Sequence, residues 1–172
     1  MIIKAEIVNQ PISGEYKERI YDIESPWNSP NWTWVRFEDE LGTWCGEFRG
    51  EPRKVVLSTG HRKVLVLTSD YLYVLDCDSA EIMEYESQPQ YSDLIVTPYG
   101  DFLVTDDYGI ELFGESLKKK ETITIPIQMD MIQFHEWVGN SLRISCCEFL
   151  NWERKVELYL DIDTKEMSFV KS

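Results

Sequence analysis

Residues 54–87 read KVVLSTGHRKVLVLTSDYLYVLDCDSAEIMEYES. Three apolar runs, KVVL, KVLVLT and DYLYVLD, are followed by a fourth, IMEYES, in which apolar and acidic residues alternate. STGHR, Ser69 and CDSAE separate them. β-Branched and aromatic side chains suit a pleated, half-buried surface, while Gly, Asp and Ser favour tight turns. The stretch therefore predicts four short strands joined by turns.

The pattern returns twice. Residues 93–126 run DLIVTPYG, DFLVTD, DYGIELF, GESLK, KKETITIP, and residues 131–170 run MIQFHEWVG, NSLRISC, KVELYLD, IDTKE, MSFV. In the third unit CEFLNWERK reads as an insertion between the second and third strands. Ser79, Ser116 and Thr164 hold corresponding positions after each third strand. The first and third of these turns match best, Leu75-Asp76-Cys77-Asp78-Ser79-Ala80-Glu81 against Leu160-Asp161-Ile162-Asp163-Thr164-Lys165-Glu166.

Four antiparallel strands in each repeat of about 40 residues is the pattern of a propeller blade. Residues 54–170 resemble β-propeller blades, and the Leu-Asp-x-Asp-Ser/Thr-x-Glu turn looks like the turn before the outermost strand in many propeller families. The chain departs from those families at several points. The Trp-Asp and Gly-His pairs of WD repeats are not in register, Gly60-His61 occurs once, and Ala80 and Lys165 stand where a glycine is frequent. The resemblance implies an all-β fold of antiparallel four-stranded repeats, arranged like a propeller or as an open sheet or sandwich.

Upstream, residues 2–8, 33–38 and 43–49 read as strands that either complete a fourth, irregular sheet or extend an open one. Between Ser13 and Ile23, Tyr16, Ile20 and Ile23 fall at helical spacing, so a short helix competes there with an irregular segment. Residues 24–33, ESPWNSPNWT, read as a loop. At 172 residues the chain is expected to form a single all-β domain, with N-terminal strands and a Trp-rich loop in 1–53 and three blade-like repeats in 54–170.

Charge is the strongest functional clue. The net charge is −14, from 17 basic and 31 acidic residues. Residues 64–117 contain no Lys, Arg or His, but hold Asp70, Asp76, Asp78, Glu81, Glu84, Glu86, Asp93, Asp101, Asp106, Asp107, Glu111 and Glu115. Such a balance disfavours nucleic-acid backbones and anionic membranes and favours a basic protein partner. No run approaches the ~18 apolar residues of a membrane span, and no signal peptide opens the sequence. Cys45, Cys77, Cys146 and Cys147 contain no C-x-x-C pair, so neither a metal nor another cofactor is expected. Free thiols in the cytoplasm are expected instead.

No motif carries catalysis. Asp76-x-Asp78-x-x-Glu81 lacks the Gly and Glu of a calcium loop and reads as turn chemistry. Asp106-Asp107-Tyr108-Gly109 reads as a tight turn, and its paired carboxylates have no named convergent partners for glycoside hydrolysis. His61 falls in a turn and His135 in an apolar run, neither spaced with a nucleophile as a triad. Lys118-Lys119-Lys120 reads as a solvated turn.

The expectation is a non-enzymatic, acidic protein-binding domain. Its profile is similar to that of the small acidic immunity proteins of bacterial toxin systems, which implies occlusion of the active site of a basic toxin, for example a nuclease. The partner-binding candidates are Asp76, Asp78, Glu84, Glu86, Asp106, Asp107 and Tyr108, with Trp27, Trp32 and Trp34 as aromatic anchors. Two alternatives remain open. One is a propeller-like protein-interaction scaffold, and the other is a carbohydrate-binding module stacking sugars on the three tryptophans. Equally, those tryptophans suit the capping of a β core.

Overall fold

The computed structural model describes residues 1–171. Among them there is no helix. Sixteen strands form four four-stranded sheets, and the chain divides into two compact units, Met1–Pro89 and the remainder from Gln90.

In the first unit, β1 (Lys4–Val8), β2 (Lys17–Tyr21), β3 (Trp32–Asp39) and β4 (Gly42–Arg49) form a sheet in the order β1-β3-β4-β2. The N-terminal strands thus complete a fourth sheet. The competing helix over Ser13–Ile23 is not formed. Instead β2 lies parallel to β4, from Lys17 beside Trp44 to Tyr21 beside Phe48. Tertiary contact decides the matter. The Tyr21 ring stacks on Phe48 with centroids 4.5 Å apart, and its hydroxyl donates to the Ala80 carbonyl at 2.7 Å. The strand buries Tyr21 and turns Ile20 to solvent, whereas a helix would have aligned Ile20 with Tyr16 and Ile23.

The second sheet is the predicted meander: β5 (Pro52–Ser58), β6 (Lys63–Thr68), β7 (Tyr71–Asp76) and β8 (Ile82–Ser87), paired in sequence order. Its two inner strands are buried on both faces, so they read as continuous apolar runs rather than alternating ones. The outermost strand, β8, alternates half-buried and exposed residues. Val64, Val66, Tyr71, Tyr73 and Leu75 share one core with Val35, Phe37 and Phe48 of the first sheet.

The second unit repeats the plan. β9 (Asp93–Val96), β10 (Phe102–Thr105), β11 (Ile110–Phe113) and β12 (Glu121–Thr122) form one meander. β13 (Met129–Val138), β14 (Ser141–Glu148), β15 (Asn151–Asp161) and β16 (Glu166–Phe169) form the other. The expected fourth strand KKETITIP shrinks to the two residues of β12. Beyond it, Ile123, Ile125 and Ile127 pack into the core of the unit with Leu103, Met129, Ile144 and Leu158. The supposed insertion CEFLNWERK is not a loop. It lengthens β14 and β15 into one long hairpin closed by Phe149-Leu150, where Leu150 has φ 63°. Residues 152–154 lie in a bulge between the Glu148–Asn151 and Cys147–Lys155 pairs.

The turns before the outermost strands carry the propeller-like signature in their backbone. Ala80 and Lys165, which replace the frequent glycine, both adopt left-handed conformations with φ 57° and 59°. All four cysteines are free and buried. Burial pushes the Cys45, Cys77 and Cys146 thiols up to about 11.

Candidate interaction surfaces

Each acid singled out in the sequence has a definite place. The Asp76 carboxylate accepts the Asp78 and Ser79 amides at 2.9 and 2.8 Å and the Ser79 hydroxyl at 3.0 Å. Asp161 does the same for Asp163 and Thr164, and Asp106 for Tyr108 and Gly109. These are turn-closing carboxylates, one oxygen satisfying two backbone donors. Asp78 pairs with Arg62, and Asp107 accepts the Ser92 hydroxyl at 2.5 Å. Glu84 and Glu86 lie half-buried on one face of β8, opposite the exposed Met83 and Tyr85. Asp76, Asp78, Glu84 and Glu86 belong to the first unit, and Asp106, Asp107 and Tyr108 to the second.

The Asp76 geometry has a pH signature. The Ser79 amide, followed by its hydroxyl, the Asp78 amide and the Arg62 charge, hold the Asp76 carboxyl below its usual range, against the opposing effect of partial burial. A carboxylate depressed in the folded state stabilises fully above its unfolded pKa of about 4 and loses that contribution as pH falls through the folded value. Asp76→Ala should cost about 1 kcal/mol at neutral pH by urea unfolding, the scale of a net intramolecular hydrogen bond, and the gap from the parent should narrow as pH falls below about 4. A gap that does not change with pH would show that Asp76 acts through packing rather than charge.

The three tryptophans do not form one platform. Trp32 and Trp34 stand half-buried on the same face of β3, and Trp32 is covered by the Arg49 guanidinium 3.8 Å from its ring centroid. Arg49 in turn holds Asp22 through two bonds of 3.1 and 2.8 Å. Trp27 alone projects from the loop, 77% exposed. That loop is tied down from beneath: buried Asp70 accepts the Ser29 amide at 2.7 Å, and Tyr71 donates to Asn28 at 2.5 Å.

A further exposed aromatic surface lies in the second unit, at the tip of the β14–β15 hairpin. Leu150 is 79% and Trp152 65% exposed, with Phe149 and Met131 also open to solvent. Tyr108, a sequence candidate, meets Phe149 edge to face with centroids 6.1 Å apart. Trp152 donates its indole N–H to Asp130 at 2.9 Å, and the Phe149 amide donates to the Gln128 carbonyl at 2.9 Å. The bulge turns Trp152 outward while the ladder on either side holds the tip in place. By sequence alone this segment reads as an insertion. Its signal was nevertheless present: Phe, Leu and Trp in four residues flanked by Glu148 and Glu153, an apolar cluster with charge on each side.

His135 and Ser145 are brought together across β13 and β14, Nε2 to Oγ at 2.6 Å. This is a partly buried histidine with a hydroxyl partner, as its apolar run suggested.

No protein-family model matches the chain, and no curated protein matches it. Among solved structures it is similar to the N-terminal domain of Nup159, with a TM-score of 0.50 and 13% identity. It is also similar to a chain of the S. cerevisiae assembly of Dbp5 bound to Nup159, Gle1, IP6 and ADP, with a TM-score of 0.51 and 15% identity. Each match covers 72% of this chain and 34% of the other, so the chain spans about a third of the length of these neighbours. They are β-propeller domains, and the likeness is one of fold: an all-β architecture of four-stranded, blade-like sheets.

Proposed function

We propose that this protein is a non-enzymatic, protein-binding module of blade-like sheets, with the β14–β15 hairpin tip as its docking surface. The observation that carries the reading is the cluster of Phe149, Leu150 and Trp152, exposed together on a tip whose backbone is fixed by the ladder and by the Gln128 carbonyl. Large exposed apolar groups on a rigid support cost little entropy to order on binding, and Trp is enriched among residues that dominate interface energies. The fold supports the reading by analogy: one structural neighbour occurs in a multiprotein assembly. Four free thiols are in keeping with a cytoplasmic setting.

The narrower toxin-inhibitor reading has charge as its support, and neither the hairpin tip nor the structural neighbours add to it. Several of its acids are committed to turns or to Arg62. The carbohydrate reading keeps Trp27 but loses one face of Trp32 to Arg49.

Site-directed photocrosslinking tests the proposal. A benzophenone side chain at Leu150, in the protein expressed in its native cells, should give discrete protein adducts, while the same group at exposed Leu41 on the β3–β4 turn should not. Adducts of equal yield at both sites, or none at Leu150, would remove the hairpin tip as the docking surface.

A further inference from the structure

The first unit holds a cavity of a different chemistry, which the docking role of the hairpin tip in the second unit does not use. Its volume is about 440 Å³, within the range of about 300–1,000 Å³ common for small-molecule sites. The buried residues Ile2, Cys77 and Ala80 give it an apolar part, and half-buried Trp44 gives it an indole wall. That ring is fixed in place. It stacks on Phe37 with centroids 4.4 Å apart, and its N–H donates to Asp39 at 3.1 Å. Two cations of β2, Lys17 and Arg19, also line the cavity. Strand alternation puts both on the Trp44 face of the sheet, with Lys17 directly beside Trp44 in the register.

The charges in this lining are not equally committed. Arg19 donates to the Ser79 carbonyl at 3.2 Å and pairs with Glu81, both side chains being more than a third exposed, so solvent screens that pair. Among the described residues the Lys17 ammonium has neither a hydrogen bond nor an ion pair. The lining acids are engaged or turned away. Asp39 accepts the Leu41 and Gly42 amides at 2.7 and 3.1 Å as well as the indole. Asp78 pairs with Arg62, and Glu18 stands beside Cys45 on the opposite face of the sheet. A chain of net charge −14 thus keeps an uncommitted cation beside a fixed aromatic wall. We propose that the cavity binds a small organic anion, a carboxylate or phosphate carried on a flat apolar ring. The ring lies against the Trp44 indole, and the anion meets the Lys17 ammonium, with the Arg19 charge adding to its hold. A charge-assisted hydrogen bond is roughly twice as strong as a neutral one, and a stacked ring adds apolar burial, so the two halves of the ligand are held by different groups.

Isothermal titration of the full chain tests this, with naphthoate, indole acetate and phenyl phosphate as probes. The two carboxylates are compared with their neutral amides, and phenyl phosphate with phenol. At least one anion should bind one to one and about tenfold more tightly than its neutral counterpart, a comparison on the parent protein that needs no variant. Lys17→Gln, at an exposed position, should remove most of that preference and leave binding of the neutral counterpart unchanged. Lys17→Arg should restore the preference in part. Tighter binding of the carboxylates than of the phosphate, or the reverse, identifies the acid group the site takes. No binding by any of the three anions, or equal binding of anions and neutral counterparts, would overturn the proposal. So would an anion preference that survives in Lys17→Gln, which would leave Lys17 as a guard on the open edge of β2. None of these outcomes bears on the hairpin tip, whose own test is separate.

Discussion

Phe48→Ala is expected to destabilise the protein by about 3–5 kcal/mol, the range for emptying an aromatic site in a close-packed core. Phe48 is fully buried at the point where the two sheets of the first unit share a core. Its ring stacks on Tyr21 at 4.5 Å and meets Tyr73 edge to face at 5.1 Å and Phe37 at 6.2 Å. Removing it opens a cavity between three aromatic rings that stiff strand backbones cannot close, and it takes away the surface on which β2 docks. Ile20→Ala on the same β2 strand is the control. Ile20 is 63% exposed, and its truncation should stay within about 0.5 kcal/mol. Urea unfolding followed by tryptophan fluorescence measures both. A Phe48→Ala loss below about 1.5 kcal/mol would mean that the core collapses onto the vacancy, contrary to the packing described.

Gly50→Ala should be nearly as damaging, about 2–5 kcal/mol, for a backbone reason rather than a packing one. Gly50 has φ +109°, a conformation that L residues rarely adopt. A Cβ there would sit 2.6 Å from the Thr68 hydroxyl and 2.8 Å from the Asp70 amide nitrogen, closer than real contacts allow. The residue cannot move to relieve this, because its amide donates to the Asn31 carbonyl and its own carbonyl accepts the Thr33 hydroxyl, both at 2.8 Å. Asp70 also holds the Trp27 loop through Ser29, so the strain passes to that loop. Gly139→Ala separates conformation from crowding. Its φ is +60° with nothing within 4 Å of the added carbon, so it should cost about 1 kcal/mol. Equal losses for the two glycines in denaturant titration would show that the contacts around Gly50 are not what limits it.

Much of the architecture was legible from residues 54–170, and the reason is local. Leu75 to Glu81 and Leu160 to Glu166 close their turns with their own aspartates, a structure that needs only neighbours in sequence. The strand runs between such turns have few alternatives once their ends are fixed. The candidate surface was legible in part. Tyr108 was singled out, and the structure places it against Phe149. Phe149, Leu150 and Trp152 were not, because a nine-residue excess in an otherwise regular repeat reads as a loop when pairing partners are unknown. The register that makes it a hairpin, Glu148 beside Asn151 and then Cys147 beside Lys155, is visible only in the paired strands.

Local sequence was enough for the all-β class, the meander of residues 54–87, that of 93–126 up to its last strand, and the use of aspartate to close turns. All of these follow from apolar runs of strand length bounded by turn residues and from short-range hydrogen bonding. The folded chain alone decided that residues 17–21 form a parallel strand on β4, that Ile125 and Ile127 beyond β12 pack into the core, and that Arg49 covers Trp32. It decided also that a bulge turns Trp152 to solvent. In the first three cases the deciding contact joins residues separated by at least ten positions, and in the last it is the pairing register of two strands. Side-chain type fixes how readily a segment forms a strand, but which face it buries, and against what, depends on partners that only the folded chain supplies.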